Sequence, residues 1–193
     1  MGLPFINADL IARAMAPDAP SAVGYLAASA ADHERRILLK EGVSFCKETV
    51  LSDPAGEKIA FLREAQGAGY TVILVFIGLD APALCVGRIL QRVGEGGHDV
   101  LDEKILARYP RTLENLRHAL PFVDWAFLFD NSSCDEPYRF VASFRRGRIV
   151  KRGSILPSWT AGVARLERKR KAAGPPRSSR GAGRERGGGA VAR

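Results

Sequence analysis

Asp9 is the residue of this chain best placed to do chemistry. It follows a short apolar run, Leu3-Pro4-Phe5-Ile6-Asn7, so a strand ending there would deliver Asn7 and the Asp9 carboxylate at its C-terminal end. A carboxylate in that place can take the proton from a substrate hydroxyl as it attacks phosphorus. The same residue can cap a helix running through Leu10, Ile11 and Met15, and residue type alone leaves both roles open. A second polar group, Lys47, Glu48, Thr49 and Ser52, leaves the apolar stretch Val43–Cys46, where Glu48 is a substrate contact or a solvated loop acid. A third is basic. Arg88 and Arg92 stand four apart on one helix face, a glycine-rich turn Gly94-Glu95-Gly96-Gly97-His98 follows, and Arg108 and Arg111 come next. Guanidinium groups that converge this way can neutralise a phosphoryl group in flight, which requires a mobile lid. A fourth group, Asp130-Asn131-Ser132, follows Trp125–Phe129.

The elements that must hold these groups can be read from punctuation and periodicity. After the Leu3–Asn7 strand and the helical turn that stops near Pro17, a helix runs from Ser21 to Lys40 and ends at Gly42. Pro54 starts another, which the Gly67-Ala68-Gly69 stop closes. Tyr70–Leu79 is the clearest strand, because its unbroken run Val72-Ile73-Leu74-Val75-Phe76-Ile77 is what a parallel strand covered on both faces needs. Helices over Pro82–Val93 and Leu101–Leu120 follow. Then come the strand Trp125–Phe129 and a hairpin, Arg139–Phe144 with Arg148–Val150, around Arg146-Gly147. Strands alternating with helices predict an α/β fold, a parallel sheet with helices on both faces. In such a sheet ligands bind at the strand ends, which is where the polar groups fall.

Composition narrows the partners. The net charge of +8 sits entirely in residues 165–193, which carry eight Arg and two Lys against two Glu. Residues 1–164 are neutral and exert no bulk pull on polyanions. The tail has almost no large apolar residues and is expected to be disordered, with nucleic acid a partner only through it. Cys46, Cys85 and Cys134 have no ligand spacing, so neither a disulfide framework nor a metal site is predicted. The longest apolar run is strand length, so no membrane span is expected, and reduced thiols suit a cytoplasmic protein.

In this order, Pro4-Phe5-Ile6-Asn7-Ala8-Asp9, Phe45-Cys46-Lys47-Glu48-Thr49-Val50-Leu51-Ser52, Gly96-Gly97-His98-Asp99-Val100, Arg108-Tyr109 with Leu113-Glu114-Asn115-Leu116, and Asp130-Asn131-Ser132 make the chain resemble the zeta-toxin / UDP-N-acetylglucosamine kinase family of P-loop kinases over about residues 3–160. The resemblance implies that Asp9 is the catalytic base toward a sugar hydroxyl and that Arg92 contacts the transferred phosphate. Glu48 and Thr49, with Asn7 and Ser52, would meet the substrate, a nucleotide-sugar-like molecule. Arg88, His98, Arg108 and Arg111 would serve the phosphate and lid, and His98 stands where some members carry a second arginine. Asp130, Asn131 and Ser132 would lie near the base of ATP. The implied cofactors are ATP and Mg²⁺, and an antitoxin protein is an implied partner. The family pattern F-E-T-T-L-S is spaced differently here.

The family's phosphate loop is missing. None of the seven lysines is followed by Ser or Thr, so no G-x-x-x-x-G-K-[ST] sequence exists. In the family that loop wraps the phosphates and its hydroxyl binds Mg²⁺, and its strand is central in the sheet. The resemblance therefore predicts a domain, residues 1–164, that lacks its first strand–loop–helix unit and is inactive at this length. Three readings follow: a phosphotransferase whose true start lies upstream, a non-catalytic remnant, and a nucleic-acid-binding module that uses the tail of residues 165–193.

Overall fold

A computed structural model describes residues 2–94 and 102–163. The chain runs β1 (Phe5–Ile6), α1 (Ala8–Met15), a 3₁₀ turn (Pro20–Val23), α2 (Gly24–Glu41), β2 (Cys46–Lys47), α3 (Glu57–Gly67), β3 (Ile73–Gly78), α4 (Pro82–Gly94), α5 (Asp102–Ala119), β4 (Trp125–Asp130), β5 (Arg139–Arg145), β6 (Arg148–Arg152) and a second 3₁₀ turn (Ser158–Gly162). The expectations for the glycine-rich turn beyond Gly94 and for the tail from Arg165 lie outside the described residues.

The protein is α/β, but its sheet is mixed and comes in two pieces. β1 pairs parallel with β2, and a four-stranded sheet has the order β3-β4-β5-β6. Within it β3 and β4 are parallel, while β4–β5 and β5–β6 are antiparallel. The expected parallel layout holds for β3–β4 alone in this sheet, and the hairpin, itself expected, makes the sheet mixed. Arg146 and Gly147 both take positive φ, 46° and 74°, as a two-residue turn matched to strand twist requires. Arg146 accepts that conformation while its guanidinium donates to Asp124 at 2.9 Å. The Asp124 carboxyl is held below its ordinary value, first by the Val72 amide and then by Arg146 and Gln66, and so ties β3, α3 and the hairpin together.

A single apolar core packs α3 and α5 against the four-stranded sheet. Phe61 and Ala65 of α3, Leu116 and Ala119 of α5, Leu128 of β4 and Phe144 of β5 all lie in it. α2 ends at Gly42, whose φ of +71° lets its N–H reach back to the carbonyls of Leu38 and Leu39 and satisfies groups that the helix leaves open.

β3 departs most from expectation. Its run of apolar residues predicts cover on both faces, yet Ile73, Val75 and Ile77 are 59%, 59% and 51% exposed. Leu74 and Phe76, on the other face, pack against the core. The backbone follows the same parity. β4 donates to the carbonyls of Val72 and Gly78, so even-numbered residues point their polar groups at β4. Those of Ile73, Val75 and Ile77 point to an edge with no strand beside it among the described residues. β2 likewise pairs only with β1. Its Cys46 and Glu48 amides donate to Pro4 and Ile6, which turns the odd-numbered residues of β2 to a second open edge. Lys47 thus belongs to a strand rather than to the loop expected there.

Candidate functional site

Asn7, not Asp9, caps α1. Its side-chain oxygen accepts from the amides of Asp9 at 2.8 Å and Leu10 at 3.2 Å, which satisfies two of the donors that a helix start leaves open. The Asn7 amide group then donates to Glu48 at 2.7 Å, tying the start of α1 to the residue that follows β2. This leaves the Asp9 side chain exposed in the first helical turn, with no hydrogen-bonding partner for its carboxylate among the described residues.

Asp9 lines a cavity of about 400 Å³. Val50 adds to the wall on the same side, and Phe76, Gly78 and Leu79 bring in the C-terminal end of β3. Ile105, Arg108 and Tyr109 of α5 close the far side. Residues distant in sequence thereby place one carboxylate and one guanidinium on a common, largely apolar space. Neither Asp9 nor Arg108 has a side-chain ion pair or hydrogen bond among the described residues. The other polar groups are already engaged. Tyr109 donates its hydroxyl to the Leu79 carbonyl at 2.8 Å, and burial pushes the phenol up to about 12. Thr112 donates to the Arg108 carbonyl at 2.9 Å.

The other expected residues divide. Glu48 is exposed and held by Asn7, and Thr49 is exposed nearby, but neither lines the cavity. Ser52 is buried, at 7% exposure. Arg88 is exposed and donates to the Asn131 carbonyl at 3.0 Å, so it braces the end of β4. Arg111 is exposed and outside the cavity lining. The expectations for Arg92 and His98 fall outside the described side chains.

Asp130 is 2% exposed and belongs to the scaffold. Its carboxylate accepts from Trp159 Nε1 at 3.1 Å, from the Ser132 hydroxyl at 2.6 Å and from Arg139 at 2.8 Å. Ser132 in turn accepts from the Asp80 amide at 2.8 Å, and Asp80 accepts from the backbone N–H of Ser158 at 2.7 Å. This chain of bonds fastens the second 3₁₀ turn across the ends of β3 and β4. Asn131 supplies its side-chain oxygen to the Tyr138 amide at 3.4 Å.

The reading of sequence missed the cavity's apolar walls and Tyr109 as an anchor. The only signal was Tyr109 beside Arg108, on a helix whose apolar side was already legible. Lys47, expected among the polar loop residues, instead places its ammonium 4.3 Å from the centre of the Phe61 ring. Burial, with repulsion from Arg35 and Lys58, lowers it from 10.5 to about 8. The ring face favours the charge, but the direction of the shift shows that desolvation wins. Because the folded form binds this proton more weakly than the unfolded chain, stability rises as pH climbs from about 8 to 10.5. Lys47→Met keeps the stem and drops the charge. It should resist urea better than the parent at pH 7, with the advantage shrinking through that window, and an equal gain at both ends would rule out the charge as its cause.

Of the groups that the implied ATP and Mg²⁺ would use, the phosphate loop is not in the sequence, and among the described residues there is no group of three or more His, Cys, Asp or Glu that could hold a metal ion. Among those residues, too, no helix is long and apolar enough to cross a membrane. No family model, curated protein or solved structure matches the chain.

Proposed function

We propose that this domain is the acceptor side of a phosphotransferase of the zeta-toxin / UDP-N-acetylglucosamine kinase type. Asp9 takes the proton from the hydroxyl of a nucleotide-sugar-like substrate, and Arg108 steadies negative charge across the cavity. The observation that carries this reading is the shared cavity, which the Asp9 carboxylate and the Arg108 guanidinium both line, neither with a side-chain partner among the described residues, at the end of a parallel strand. Open α/β sheets bind their ligands at that end.

The ATP-holding part is a strand, glycine-rich loop and helix that enter between β2 and β3. Three features support it: the edges of β3 and of β2, open among the described residues, and a cavity lined by Asp9 and Val50, which follow β1 and β2, and by the end of β3. A helix following that strand would cover Ile73, Val75 and Ile77, each more than half exposed without it. Sealing the edges would also pair backbone groups that cost on the order of 1–3 kcal/mol each if buried unmade.

The test is a product extended ahead of Met1. The coding DNA should hold an in-frame G-x-x-x-x-G-K-[ST] sequence within a few tens of codons upstream, and the extended protein should bind Mg-ATP in a calorimeter. Stop codons in that stretch would overturn the reading in favour of a non-catalytic remnant. Tight Mg-ATP binding by the chain at its present length would show that no added unit is required.

A further inference from the structure

Helix α5 is built in two unlike halves. Its second half is core, with Leu116 and Ala119 fully buried. In its first half Glu103, Lys104, Leu106, Ala107 and Arg108 are exposed, and Ile105 is buried. The halves meet at Pro110, inside the helix. Proline has no N–H to give the Leu106 carbonyl, and its ring crowds that same carbonyl. Two residues later the Thr112 hydroxyl donates to the carbonyl of Arg108, a back-bond that bends helices. Two independent local features thus weaken the helix over the same turn.

Among the described residues, one side-chain bond ties the first half to the sheet at that turn: the Tyr109 hydroxyl on the Leu79 carbonyl, at the end of β3. Its neighbour Arg108 faces the cavity that Asp9 lines from the other side.

We propose that Pro110 is a hinge and that the Tyr109–Leu79 hydrogen bond is its latch. With the latch made, residues 102–109 hold Arg108 on the cavity. With it broken, that half swings out and its helical turns open as far as Pro110, while residues 111–119 stay seated in the core. The device follows from packing and hydrogen bonding and does not depend on the reaction.

Amide hydrogen exchange of the whole chain tests it, under conditions where exchange reports the opening equilibrium. Tyr109→Phe keeps the ring and removes the latch. Amides of residues 105–109, the ones with helical acceptors, should then exchange about 2- to 10-fold faster, the worth of one net hydrogen bond, with residues 113–119 unchanged. Pro110→Ala restores the missing N–H and should slow exchange in 105–109 alone. Equal changes in both halves, or no change at 105–109 in either variant, would overturn the hinge.

Discussion

Asp9→Asn, made in a product that carries the phosphate loop, should slow phosphoryl transfer by about 10²- to 10⁴-fold, the usual worth of a positioned general base, and leave Mg-ATP binding nearly intact. The substitution is close to isosteric, and the structure isolates what it removes. Because Asn7 caps α1, losing the Asp9 charge takes away no cap. Asp9 is exposed and makes no ion pair among the described residues, so folding stability should hardly move. The measurement is single-turnover transfer beside a urea titration of the same preparation. Unchanged turnover would remove Asp9 as the base. Lost turnover with lost stability would make it a scaffold residue.

Trp159→Ala should lower the unfolding free energy by about 3–5 kcal/mol, as for other buried aromatics cut to alanine. Trp159 is 4% exposed, packs on Phe76 with ring centres 5.5 Å apart and planes tilted by 53°, and donates to buried Asp130. Gly78 has no side chain because this ring fills its place. A Cβ there would lie 2.5 Å from the indole, closer than atoms approach. Gly78→Ala should therefore destabilise the parent by overpacking, typically about 1–3 kcal/mol. In the Trp159→Ala background the same change should cost much less, since the clash has gone, and a double-mutant cycle in urea reads that coupling. Strict additivity would mean that the two do not meet.

The split between what was legible in sequence and what was not has physical causes. The hairpin was readable because Arg146-Gly147 must turn there, and helix ends were readable at Gly42 and after Gly67. These are local constraints. The cover on β3 was not, because an apolar run states what a strand needs and not whether the described chain supplies it. Asp130 and Ser132 looked like ligand groups at a strand end. Asp130 is taken by Trp159 and Ser132 by Asp130 and the Asp80 amide, and no local pattern announces bonds across 29 or 52 residues. Asp9 was legible as a carboxylate at a strand end, but its freedom was not, since that rests on Asn7 taking the cap. The cavity joins Val50, Phe76 and Arg108, which only the tertiary fold makes neighbours.

The open edge of β3 also governs how the protein behaves as a material. An exposed apolar strand edge is a template on which other chains can pair, and charge is the usual defence against it. Here the 19 basic side chains of residues 1–164 are matched by 19 acidic ones, so that part of the chain offers no net repulsion at neutral pH. The repelling charge of the molecule is all carried beyond residue 164. Ile73, Val75 and Ile77 are therefore where self-association is expected to begin, and removing residues 165–193 should lower the concentration at which the protein stays dispersed.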